Sequence, residues 1–116
     1  MIARTWHGKV RAEDSEAYYG YLLRTGIPDY RATPGNLGIT VLRRTEGTET
    51  HFVLITFWES MEAIQAFAGQ TPERARYYPE DERFLLEFEP LVAHHEVLLP
   101  PDSLLGRQQP ELLQDR

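Results

Sequence analysis

The hydrophobic pattern is strongest between His51 and Phe67, in the stretch HFVLITFWESMEAIQAF, whose first half has almost no polar face. In an extended chain Phe52, Leu54, Thr56 and Trp58 share one face, and Val53, Ile55 and Phe57 share the other. All but Thr56 are apolar, and the run is bounded by Glu46-Gly47 and Glu59-Ser60. Short, β-branched and aromatic, it predicts a central strand with both faces covered. Ser60 then suits the cap of a helix whose stripe is Met61, Ile64, Phe67 and Ala68, with Gly69 as its end.

The same pattern extends to both sides. Ile2 to Lys9 predicts a first strand, with Ile2, Arg4 and Trp6 on one face and Ala3, Thr5 and His7 on the other. A helix follows from about Ser15 to Arg24, with Glu13, Asp14 and Glu16 at its positive end and Tyr18, Tyr21 and Leu22 inward. Gly26 and Pro28 are expected to stop it, leaving residues 28–35 as a loop. Asn36 to Arg44 predicts a second strand, joined to the central one by a turn through Gly47. Thr71-Pro72-Glu73 looks like a fresh helix start, and residues 82–88 like a short helix opened by the solvated acidic run Glu80-Asp81-Glu82. A last strand is expected over residues 91–99, within a domain of residues 1–99, with residues 100–116 as a C-terminal tail.

Strand, helix, strand, strand, helix, strand is the ferredoxin-like βαββαβ order, an α+β sandwich with a four-stranded antiparallel sheet and its helices on one face. A right-handed crossover places the third strand between the first two and the fourth beside the first. The face away from the helices then carries either Phe52, Leu54 and Trp58 or Val53, Ile55 and Phe57. Burying three such side chains is worth about 1.5–3 kcal/mol each, and monomers rarely expose an apolar patch of that kind. A homodimer formed by sheet-to-sheet packing is therefore expected.

Composition narrows the chemistry. The formal net charge of −6 argues against nucleic acid and anionic membrane as partners. There is no cysteine, and neither a long apolar stretch nor a signal-peptide pattern at Met1, so a cytoplasmic protein without thiol chemistry is expected. His94 and His95 point to opposite faces of a strand and cannot chelate one metal together. His7 and His51 should meet at neighbouring strand ends. The alternative to a two- or three-histidine metal site there, completed by His94 or His95, is that they are exposed strand-end histidines with no metal, and that is the expectation. His94 and Glu96 share a face, as do Arg4 and Trp6, so these four should be neighbours. A half-buried histidine suits a general base and an arginine suits an anion. Trp6, Trp58 and Tyr77, with Tyr78, are candidate aromatic walls for a small aromatic ligand. Alternatively the aromatics are core and Arg4 pairs with an acid such as Glu96.

Four stretches, MIARTWHG, TPGNLGITVLRR, LITFWESMEAIQAF and ARYYPEDERFLLEFEPLVAHHEV, resemble the antibiotic biosynthesis monooxygenase-like family, the dimeric α+β barrel group. The resemblance spans roughly residues 2–98 and implies a dimeric barrel. Among that family's activities a cofactor-independent oxygenase acting on an aromatic or polyketide-like compound is the leading expectation. On the reading of the residues above, His94 is its expected base, Arg4 its anion partner, and Trp6, Trp58, Tyr77 and Glu96 are expected around the substrate. The competing expectation is a non-catalytic homodimer that binds a small ligand, favoured if the pocket is too small for a bicyclic ring. The haem-degrading branch resembles this chain at Trp58-Glu59-Ser60, but its tryptophan and histidine positions fall on Phe67 and Tyr77, and its first-strand asparagine is missing. No cofactor is expected, although a tyrosine can ligate haem iron.

Overall fold

The structure is a computed structural model that describes residues 1–105. Its elements are β1 (Ile2–Arg11), α1 (Ser15–Arg24), α2 (Gly26–Ala32), β2 (Asn36–Glu46), β3 (Glu49–Trp58), α3 (Met61–Ala68), β4 (Ala93–Glu96) and α4 (Asp102–Leu105). The sheet order is β2-β3-β1-β4, with every neighbouring pair antiparallel. This is the expected ferredoxin-like α+β arrangement, with β3 between β1 and β2 and β4 beside β1.

Residue alternation decides which face is which. Along β3, Thr50, Phe52, Leu54, Thr56 and Trp58 are buried, while His51, Val53, Ile55 and Phe57 are half-buried. On β1, Arg4, Trp6, Gly8 and Val10 complete the buried face. This inner face packs against Tyr18, Tyr21 and Leu22 of α1, Ile27 and Tyr30 of α2, and Ile64 and Phe67 of α3. The Ser60 hydroxyl caps α3 by accepting from the Ala63 N–H at 3.2 Å. The outer face carries Val53, Ile55 and Phe57, with Leu42 of β2 in register with Val53. Leu104 of α4 touches this side at Gly38, where an added Cβ would lie 3.8 Å from its Cδ2.

Several local expectations are corrected. Residues 26–32 form α2 rather than a loop, because Pro28 sits in the first helical turn, where its missing N–H has no partner to lose. Tyr30 thereby leaves the surface and stacks on Phe67 with ring centroids 4.3 Å apart. No helix starts at Thr71: Ala75 N–H donates to Pro90 O, Val92 N–H donates to Glu73 O, and Arg74 bridges Leu91. That pairing diverts Leu91 and Val92 from the sheet, so β4 is four residues long instead of spanning 91–99.

The expected helix over residues 82–88 is only a 3₁₀ turn at Asp81–Arg83. Beyond it Leu85 bridges Val10 and Leu86 N–H donates to Lys9 O. Nor is the acidic run wholly solvated. Asp81 is buried, accepting from Tyr78 N–H at 2.6 Å and Tyr18 OH at 3.2 Å, and burial raises its pKa. Residues 106–116, including Leu112-Leu113, lie outside the described residues.

Candidate functional site

Residues 69–92 cross the inner face with little regular structure, and the candidate groups lie beneath or beside this cover. Arg4 is the central one. It is 2% exposed, and its Nη2 donates to Arg74 O at 3.0 Å and to Pro72 O at 3.5 Å. Its guanidinium also stands over the Phe67 ring, 5.6 Å from the centroid. It has no carboxylate partner among the described residues, so the expected alternative of an Arg4–Glu96 pair does not form. Burial lowers the Arg4 pKa, while the Tyr30 phenol beside it opposes that shift. A buried charge held only by neutral dipoles is costly and attracts an anion.

His94 is the β4 register partner of Arg4 on the inner face. Burial lowers its pKa first, and Arg4 adds to the effect, so the neutral, proton-accepting imidazole predominates at neutral pH. Among the described residues three buried polar atoms lack a hydrogen-bond partner: Arg4 Nε, Trp6 Nε1 and His94 Nε2. They belong to neighbouring inner-face positions of β1 and β4. Unpaired buried donors and acceptors of this kind call for an explanation.

The other expected residues separate. Tyr77 meets Trp6 edge-on, with centroids 6.3 Å apart, and its hydroxyl donates to Glu89 O. Trp58 is fully buried, with its indole N–H donating to Thr56 Oγ1 at 2.8 Å, and so belongs to the core. Glu96 is exposed at the sheet edge opposite Ile2. Neither His94 nor His95 joins His7 and His51, which instead bond each other and Glu89 on the outer face. Among the described residues no group of three His, Cys, Asp or Glu is arranged to hold a metal.

Gly8 and Tyr30 are site-building residues that were not anticipated. A Cβ at Gly8 would lie 2.3 Å from Trp6 Cη2 and 2.7 Å from Trp6 Cζ2, so the indole lies over a position only glycine can leave open. A tryptophan two residues before a glycine on the same strand face was the available signal. Gly8→Ala is expected to displace Trp6 and lower stability by about 1–3 kcal/mol. Chemical denaturation together with the tryptophan emission spectrum checks both effects.

The cavity between sheet and helices is lined by Trp6, Tyr30, Leu54, Arg76, Tyr78 and Asp81, among others, and measures about 20 Å³. That is room for roughly one water molecule. Larger hollows lie outside it, one of about 330 Å³ by Trp6, His7 and Glu89, and one of about 580 Å³ at the hairpin end by Arg11, Gly47 and Glu49.

Comparison with known proteins now bears on this geometry. The family model described as antibiotic biosynthesis monooxygenase matches residues 8–77, more than half of the chain. The chain belongs to that family. A search among curated proteins finds no significant match. Among solved structures, a putative antibiotic biosynthesis monooxygenase from Nitrosomonas europaea is similar, with a TM-score of 0.60 at 17% identity; the match covers 85% of this chain and 100% of that one. A second such protein, from Bacillus cereus, has a TM-score of 0.58 at 16% identity, over 87% and 96% of the two chains. The haem-degrader MhuD from Mycobacterium tuberculosis, with two haems bound in its active site, has a TM-score of 0.58 at 23% identity, covering 88% and 100%. At these identities the solved structures bear on the fold alone.

The residues of this family member do not fit a haem. Tyr77, where the haem-degrading branch has its histidine, spends its hydroxyl on Glu89 O, and Phe67 is buried beneath two arginines. No helix among the described residues is long and apolar enough to cross a membrane.

Proposed function

We propose that this protein is a cofactor-independent monooxygenase that binds a small phenol-like compound in its ionised form at Arg4, with His94 accepting the phenolic proton. The carrying observation is a fully buried guanidinium without a carboxylate partner, beside an imidazole whose Nε2 is buried and unpaired. The phenolic O–H bond breaks and the proton passes to His94. The electron-rich anion left at Arg4 reacts with O2 at a ring C–H, one oxygen atom staying as a quinone carbonyl and the other leaving as water, so that the substrate supplies all four electrons. Trp6 and Tyr77 supply the aromatic wall. Because Arg4 is buried and tied to the carbonyls of Pro72 and Arg74, substrate entry requires that part of residues 69–92 to lift away from the sheet.

Substrate-dependent oxygen uptake tests the reading. It is expected to fall by about 10²–10⁴-fold in His94→Ala with folding intact, as for loss of a general base. In the wild type it should fall on the acid side with a midpoint below the ordinary histidine value of about 6.5. Uptake retained in His94→Ala excludes His94 from the role. The cavity of about 20 Å³ favours a second reading, a non-catalytic dimer; absence of uptake across a panel of phenols would support it.

Under either reading the protein is a homodimer joined through the outer sheet face. Val53, Ile55 and Phe57 are only half-buried there, Leu42 is 48% exposed, and Leu104 reaches the face at Gly38. A second copy is the economical cover for such a surface.

A further inference from the structure

We infer that the sheet-to-sheet dimer is pH-sensitive, held by a Glu89–His7–His51 chain that the second copy covers only while the two imidazoles carry at most one extra proton. This rests on the homodimer reading above. His7 Nδ1 bonds Glu89 Oε2, and His7 Nε2 bonds His51 Nδ1 at 2.9 Å. The two ring centroids are 5.1 Å apart with planes 23° from parallel. A nitrogen separation so much shorter than the centroid separation puts the facing nitrogens on the line between the rings. The contact is thus an edge-to-edge hydrogen bond, with one nitrogen donating and the other accepting.

The order of donors follows from the carboxylate. Ionised Glu89 can only accept, so His7 carries its proton on Nδ1 and presents a lone pair at Nε2. His51 must then donate from its own Nδ1. One added proton leaves the chain intact, since an imidazolium at His7 faces Glu89. A second makes both facing nitrogens donors and sets two cations in contact.

The surrounding charges do not absorb that second proton. From β1, Lys9 bonds Glu87 at 2.8 Å and Glu49 of β3 at 3.7 Å. From β2, Arg44, the register partner of His51, is paired with Glu46. Thr5, Leu42 and Val53 bring no charge. Glu89 is thus the carboxylate left to the pair, and it balances one proton.

β1 and β3 are the two central strands, so a copy that covers the outer face covers His7 and His51. Burial disfavours the doubly charged pair in the dimer relative to the free subunit. Dimer affinity therefore falls as acid adds the second proton to the pair. The overall charge predicts the reverse. Each chain is formally −6, and protonation reduces repulsion between copies. The sign of the pH effect is therefore diagnostic.

Sedimentation velocity over a micromolar dilution series, between about pH 8 and about pH 5.5, reads the effect while carboxylates stay ionised. The expected result is a dimer whose Kd rises by about tenfold per pH unit for each proton excluded. His51→Gln, with His7→Gln as a second variant should the first misfold, is expected to flatten that dependence. A 13.5 kDa monomer at every pH would overturn the dimer reading, and this inference with it. A dimer whose Kd holds or tightens on acidification would overturn this inference alone, as would weakening that persists in both variants.

Discussion

Trp58→Ala is expected to lower folding stability by about 3–5 kcal/mol, the range for truncating a buried aromatic. Trp58 is 0% exposed at the end of β3, between Tyr30 at 6.3 Å and Phe67 at 5.8 Å centroid distance. Its indole N–H donates to Thr56 Oγ1, so the truncation also removes one of that buried hydroxyl's two hydrogen bonds, leaving the one it donates to Arg4 O. Small domains have only about 5–15 kcal/mol of stability in total. Urea unfolding followed by circular dichroism checks the size of the loss. A loss below about 1 kcal/mol would place Trp58 at a pocket wall rather than in the core.

The second large effect concerns Arg4. Arg4→Met is expected to reduce oxygen uptake by about 10²–10³-fold, the cost of removing a donor aimed at a developing anion. Because Arg4 also fastens the carbonyls of Pro72 and Arg74, the methionine variant will loosen residues 69–92 as well. Arg4→Lys separates the two roles. It keeps the charge and one hydrogen bond, and should restore much of the folding stability while recovering only part of the activity. If both variants retain full uptake, the guanidinium is a structural pin.

How legible these features were depended on how local their causes are. β3 was readable because a short apolar run of β-branched and aromatic residues is a local signal, and burial then alternates along it as successive side chains must. The Ser60 cap was readable because it acts across three residues. Residues 69–92 were not, since distant groups fix their path: Arg4 holds Pro72 and Arg74, Tyr18 holds Asp81, and His7 holds Glu89. A proline-bearing stretch with those partners carries no periodic signal.

At the site, the neighbouring positions of Arg4 and His94 followed from strand order, which the topological rules constrain. The partners of Arg4 did not, because they are backbone carbonyls, which any residue type could supply. Tyr30 was hidden by Pro28, a breaker in most contexts and harmless in a first helical turn.

The central claim, that Arg4 holds an anion beneath the cover, is tested most directly by titrating 4-nitrophenol with and without saturating protein and following its absorbance. Bound to the wild type, it is expected to ionise at lower pH than when free, and the shift should vanish in Arg4→Met. An unshifted ionisation in the presence of wild-type protein, or a shift that survives in Arg4→Met, contradicts the account.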